Sequence, residues 1–380
     1  MLGKERKRGS GRRIAVLAGA GAALMLGIGL AGTAGASAAA RPLANSAASV
    51  PWKSVGAGWV LADDQASPTQ PVTLDLLSPS GAKYMLHTWP ASQDAIGPSL
   101  IAWSPAKTGA LFEGPVYNQL EQLNLQTGKI TVTAFPKDTV ILGYTLPAGK
   151  QLLGYHYSGT TETMATYGLA GKLVQNLASQ RETIGAVQAK NGSTFAVSGT
   201  TGLRLVSGGG KLLKNLTVAG TDSTFGCTPV RWWTSAEVLA NCTIKSGKSF
   251  HTHLYLVPVS GAKPKQLTPA RTSGSDLGDL DAWQLKSGLY LQSSGACGQL
   301  EINKQAANGS IIPVTVPGTK GGSYAVLSAS GSALLVDTLG CTRGGQLLWY
   351  NPATKAEKWL LKSGAGGVVP FYSTLNGGRY

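Results

Sequence analysis

Cysteines, histidines and a run of aspartates are the residues of this 380-residue chain whose types and spacing could support chemistry. There are four cysteines: Cys227, Cys242, Cys297 and Cys341. An even count suits disulfides in an oxidising compartment, and four thiols allow three pairings. Cys227 and Cys242 flank Thr234-Ser235 symmetrically, which sets them opposite each other across one hairpin. Cys297 and Cys341 each follow the second strand of a similar segment, so they would bridge neighbouring units. The pairing favoured on these grounds is 227–242 with 297–341. No CxxC or HxxxH spacing marks a zinc site. His251-Thr252-His253 puts two imidazoles on one face of a strand, a grip for a metal with no third ligand nominated; an exposed outer strand is the simpler reading. Asp276, Asp279 and Asp281 in SGSDLGDLD could hold Ca²⁺ through oxygen. Their spacing is not that of an EF-hand, and a solvated turn is the alternative. No other cofactor is expected.

Motifs for covalent catalysis are missing from the sequence. It has no G-x-S-x-G elbow and no Gly-rich phosphate loop ending in Lys-Ser/Thr, so no catalytic residue is nominated and a prolyl-oligopeptidase-type enzyme is not expected. Trp232 could stack on a sugar, whereas Trp233 aligns with apolar core positions.

The elements that must position these residues repeat with a period of about 45 residues. One unit is an apolar strand, a short turn usually ending in Gly, and a second apolar strand, as in IAWSPAKTGALFEG from Ile101 and LDAWQLKSGLYLQ from Leu280. Its aligned column is Trp103, Tyr144, Val187, Trp233, Trp283, Val326 and Tyr372. A second unit lies between the copies: alternating strand, Gly turn often followed by Lys, alternating strand, as in LEQLNLQTGKITVTAF. Each fits a hairpin. Two hairpins per period give four strands, the make-up of a propeller blade. The expected fold is all-β: a seven-bladed β-propeller with four-stranded antiparallel blades, closed by the C-terminal strand joining the N-terminal blade.

At Ala102-Trp103-Ser104-Pro105, followed by Gly109, the chain resembles the TolB-like and WD-repeat β-propellers. The likeness extends over residues 52–380. It implies the architecture and no particular activity.

Composition agrees with a β-rich globular protein. Hydrophobic residues are 43%, enough for a large core, and charged residues only 13%, which excludes generic disorder and long helices. Residues 1–40 read as a signal peptide: a basic start (Lys4, Arg6, Lys7, Arg8, Arg12, Arg13), an apolar run from Ile14, and Ala36-Ser37-Ala38 for cleavage. Arg12-Arg13 leaves Sec and twin-arginine export both open. The Ala/Gly-rich style resembles secreted actinobacterial proteins. Residues 41–50 read as a linker and 51–380 as the propeller, with no spanning stretch after cleavage. Of the formal net charge of +15, about +10 stays with the mature part.

In blades of antiparallel strands, the first–second and third–fourth turns open on one side. There the sequence places Lys83, Lys107, Lys129, Lys150, Lys172, Lys190, Lys211, Lys263, Lys265, Lys286 and Lys355, against Glu237 and Glu357. Asp63, Asp64 and Asp138 are among the acids assigned to loops of the other side. A basic side outside the cell could dock an anionic envelope polymer, while lysines that merely solubilise turns are the plainer alternative. The reading is a secreted, monomeric, non-catalytic binding or scaffold module whose partner is a protein or an anionic envelope polymer. Nucleic acid is not expected. The competing class is a propeller enzyme, of lyase or lactonase type, working on the loop-rich side.

Overall fold

Period-two apolar patterning becomes 29 strands among the described residues. The computed structural model describes residues 45–46, 49–65, 67, 69–90, 99–114, 116–180, 185–246, 249–268, 278–295, 299–317, 323–339, 346–362 and 372–374. The leader, Asp276, Cys297 and Cys341 lie outside the described residues.

The first sheet holds β1 (Asn45–Ser46), β2 (Val60–Asp64), β3 (Val72–Leu77) and β4 (Lys83–Trp89). The second is β5 (Leu100–Trp103), β6 (Gly109–Glu113), β7 (Gln119–Asn124) and β8 (Ile130–Ala134). The third is β9 (Thr139–Tyr144), β10 (Gln151–Ser158), β11 (Thr161–Gly168) and β12 (Leu173–Gln180). Then come β13 (Ala186–Gln188), β14 (Thr194–Gly199), β15 (Gly202–Ser207), β16 (Leu212–Thr217), β17 (Cys227–Trp232), β18 (Glu237–Ser246), β19 (Ser249–Pro258) and β20 (Lys265–Gln266), all in one sheet. The fifth sheet is β21 (Asp279–Leu285), β22 (Gly288–Ser294), β23 (Leu300–Gln305) and β24 (Ile311–Pro313); the sixth is β25 (Ser323–Ser330), β26 (Ala333–Leu339), β27 (Gln346–Asn351) and β28 (Ala356–Leu361). The last strand, β29 (Tyr372–Thr374), runs antiparallel to β2, with Ala62 opposite Tyr372.

This corrects the expectation of seven separate four-stranded blades closed by the C-terminal strand. The described strands form five blade-like sheets and one continuous eight-stranded sheet. The first sheet has five strands in the order β1-β4-β3-β2-β29, with β1 parallel to β4 on the edge away from β29. In the eight-stranded sheet two hairpin sets fuse where Gly199 pairs with Cys227. Glycine permits that approach. Gly226 has φ +64, and a Cβ there would sit 2.3 Å from the Gly199 carbonyl oxygen.

Apolar side chains fill the junctions between consecutive sheets. Leu74 and Leu76 of the first sheet meet Trp103 and Phe112 of the second. Leu111 of the second meets Leu152 and Tyr167 of the third. Similar clusters continue round to the sixth sheet, whose Leu335 and Leu347 pack on Val60, Ala62 and Tyr372 of the first. A further cluster lies within the eight-stranded sheet, between Leu203 and Leu205 of one half and Val238 and Ala240 of the other. These side chains are almost wholly withdrawn from water, and such burial drives the assembly.

The β11–β12 turn leans over the outer strand of the sheet before. A Cβ on Gly171, between β11 and β12, would lie 2.1 Å from the Ala134 carbonyl of β8. The same turn's Leu169 carbonyl accepts a hydrogen bond from Gln122 Nε2 at 2.6 Å. Within the eight-stranded sheet, the Ser260 carbonyl, between β19 and β20, accepts from Lys214 Nζ of β16.

Candidate functional site

Most of the lysines sit in turns, where Gly-Lys and Asn/Asp-type turn residues end the alternating strands; Lys83 opens β4 and Lys265 opens β20. Strand direction alternates, so first–second and third–fourth turns share one side of each sheet. Neighbouring sheets keep that side in common: Leu146 N, in the β9–β10 turn, donates to Gln188 Oε1 of β13 at 2.5 Å. Lys129, Lys150, Lys172, Lys190, Lys211, Lys263, Lys265, Lys286 and Lys355 are exposed there. The opposing acids are few. Glu237 is half-buried, and the Glu357 carboxylate accepts from Trp359 Nε1 at 2.9 Å.

Two of the expected lysines are placed differently. Lys107 Nζ donates to the Val55 carbonyl, which ties it to the chain ahead of β2. Lys83 reaches inward to Asp75 at 2.7 Å and Asp64 at 3.4 Å, in a pair shielded from solvent. Asp63 and Asp64 are not loop residues: both lie in β2, and with Asp75 of β3 they are buried. Asp63 Oδ2 accepts the Leu100 N–H at 2.9 Å and so fastens the second sheet to the first. Asp337 of β26 and Tyr372 complete this acidic pocket. Burial pushes the Asp337 carboxyl up to about 8. It also raises the Tyr372 phenol well above its ordinary value, helped by Asp337, Asp64 and Asp63. A hint was present in the sequence: an acid inside the apolar strand VTLDLL has no solvent face to occupy.

Asp279 and Asp281 also lie in a strand, not a turn. Asp279 Oδ1 accepts from Ser293 Oγ at 2.8 Å. Asp281 holds Arg231 with both oxygens, at 2.6 and 2.8 Å, and the Arg231 guanidinium lies 4.6 Å from the Trp283 ring centre. Burial raises Asp281 to about 6 against the pull of Arg231. The arrangement clamps β17 to β21, and Arg231 already supplies the cation that Asp281 would offer calcium.

Cys227 and Cys242 form a disulfide between directly opposed residues of β17 and β18. The histidine pair is not on an exposed outer strand. It lies on β19 next to β18, with His253 only 7% exposed, directly opposite Cys242, and His251 opposite Ile244. The two rings stack with centres 6.3 Å apart. His156 Nδ1 lies 2.9 Å from the Tyr167 hydroxyl, and His87 stands edge-on to Trp89. Among the described residues no group of three or more His, Cys, Asp or Glu is arranged to hold a metal ion. Trp232 Nε1 donates to the Val187 carbonyl at 3.2 Å and packs with the core, so the ring proposed for sugar stacking is half-buried.

No protein-family model matches the chain, and no curated protein matches it. Solved structures do. A puromycin-hydrolysing peptidase of Mycobacterium tuberculosis is 14% identical, with 81% of this chain and 52% of that one covered and a TM-score of 0.55. The β-propeller domain of the Trilobed protease from Pyrococcus furiosus is 12% identical, with 77% and 90% covered and a TM-score of 0.51. TolB from Acinetobacter baumannii is 13% identical over 89% of each chain, with a TM-score of 0.41. The chain spans about half the length of the peptidases it matches. At such identities the likeness establishes the fold alone. This chain has an all-β propeller-type fold.

Proposed function

We propose that the protein is a non-catalytic binding module, exported through its N-terminal leader, whose lysine-bearing side docks an anionic polymer of the cell envelope. One observation carries the reading: eight exposed lysines occupy turns on one side, with exposed Lys265 in β20 beside them, where the two acids are half-buried or engaged by a tryptophan. Positive charge collected on one side raises the local concentration of a polyanion without a shaped pocket. The buried disulfide fits an oxidising compartment. Among the described residues no helix is long and apolar enough to cross a membrane.

Retention of the full chain on immobilised polyphosphate at low and moderate salt tests the idea. Retention should weaken steeply with salt. It should fall further when Lys129, Lys172, Lys211 and Lys263 are replaced by Gln, with the melting temperature unchanged. Retention that ignores salt, or none at all, counts against docking.

A further inference from the structure

Packing alone does not account for the two tyrosines of β10. Tyr155 is buried with Met164 against Phe195 and Val197 of β14, so this face of the third sheet turns toward the eight-stranded one. Tyr157 lies two residues on, hence on the same face, and is 42% exposed. It directly opposes Glu162 of β11, and Glu162 opposes Gln180 of β12. Tyr157, Glu162 and Gln180 therefore form one row across three strands, with neighbouring Cβ atoms about 4.5–5.5 Å apart. Arg204 of β15 closes the row. Its Nη2 donates to Gln180 Oε1 at 3.3 Å, its Nε to the Ser198 carbonyl at 3.0 Å and its Nη1 to the Ser179 carbonyl at 3.4 Å. All three of these acceptors are neutral. The rings are oriented as well: Tyr155 stands perpendicular to Tyr157, with ring centres 5.4 Å apart. The Tyr155 hydroxyl donates to the Tyr157 oxygen, and the Tyr157 hydroxyl donates to the Glu162 carboxylate. Tyr117, in the β6–β7 turn, is 70% exposed and close enough to act electrostatically on both phenols.

We propose that the row Tyr157–Glu162–Gln180, with Arg204 at its end, binds an uncharged β-linked polysaccharide whose pyranose rings carry equatorial hydroxyls. Such a ring has a flat C–H face that stacks on the exposed Tyr157. Its adjacent hydroxyls donate to Glu162, because a carboxylate has lone pairs beyond the one that the Tyr157 hydroxyl takes. The Gln180 amide donates to the sugar oxygens, and so does Arg204, which engages three of its five N–H groups with the neutral oxygens named above. Tyr117 offers a second exposed ring beside the row, which suits a chain of sugars better than a single one. Second–third turns open on the side away from the lysines, so this site does not rest on polyanion docking and is tested apart from it.

Calorimetric titration of the full chain with cellohexaose tests the site, at moderate salt where docking through the lysines is screened. Cellohexaose should bind, and salt should change its affinity little. Tyr157→Ala and Glu162→Gln should each weaken binding about tenfold with the melting temperature unchanged, whereas Tyr157→Phe keeps the ring and should keep most of the affinity. Mannohexaose of the same linkage carries an axial hydroxyl on every ring and should bind more weakly. Replacing Lys129, Lys172, Lys211 and Lys263 by Gln should leave cellohexaose binding intact. The proposal is overturned if cellohexaose does not bind, if Tyr157→Ala binds it as tightly as the parent, if mannohexaose binds equally well, or if the lysine variant loses the binding.

Discussion

Two joints hold distant parts of this chain together, and they are built from opposite materials. In the eight-stranded sheet, β17 meets β14 at a Gly199–Cys227 pair and is secured to β18 by a disulfide between residues 15 apart. In the first sheet, β29 meets β2 across almost the whole sequence, with no covalent help. That joint relies on the Tyr372 ring, a Ser373 hydroxyl that accepts the Trp103 N–H at 2.9 Å, and a pocket of buried carboxylates. Local segments can be locked by a short covalent loop. Segments far apart in sequence here are matched by shape and by polar groups that fit in one register only. The second solution leaves Asp337 in a place where its charge is unwelcome.

The sharpest way to break the contrast is Tyr372→Ala. It removes a buried ring from the cluster between the sixth and first sheets, and about 3–5 kcal/mol should be lost in denaturant unfolding. Tyr372→Phe keeps the ring and should be near neutral; an equal loss in both variants would show that the hydroxyl, not the ring, secures the joint.

Removing the disulfide as Cys227→Ala with Cys242→Ala should cost about 3 kcal/mol, the loop-closure value for a short loop. A loss above that of Tyr372→Ala would reverse the ranking of the two joints. Gly226→Ala adds a Cβ against the Gly199 carbonyl at positive φ and should cost on the order of 2 kcal/mol, measured by thermal unfolding.

Asp337 gives the most diagnostic effect, because it alone depends on pH. Its folded pKa is about 8, and an unfolded aspartate sits near about 3.9. The folded state therefore holds the proton more tightly, and stability falls as pH rises from the unfolded value through the folded one. Asp337→Asn should remove that decline. Its advantage over the parent should be slight near pH 4 and grow steadily as pH rises toward 8. Melting curves across that range measure it, and a constant difference would place the carboxyl in water.

Much of this was legible in the residues. Of the column Trp103, Tyr144, Val187, Trp233, Trp283, Val326 and Tyr372, five fall in the first strand of a repeat and Tyr372 in β29, because a position packed between sheets must stay large and apolar; Trp233 lies just past the end of β17. The Cys227–Cys242 bridge followed from symmetric spacing about one turn. The fusion of two hairpin sets did not. It depends on Gly226 lying against Gly199, and in a chain with 51 glycines no local signal separates a close-contact glycine from a turn glycine. The Lys83–Asp64–Asp75 group escaped for a related reason. Lys83 follows a turn and Asp63-Asp64 end an apolar run, so each looked like a surface residue, and only the packed sheets bring them together in a dry place.

The leaning of the β11–β12 turn over β8 has a practical corollary for anyone decorating this scaffold. A tag inserted at Gly171 would prise up the roof of β8 in the sheet before it, harming a strand more than thirty residues upstream. A tag at Gly159, between β10 and β11, meets nothing within 4 Å and should leave the scaffold intact.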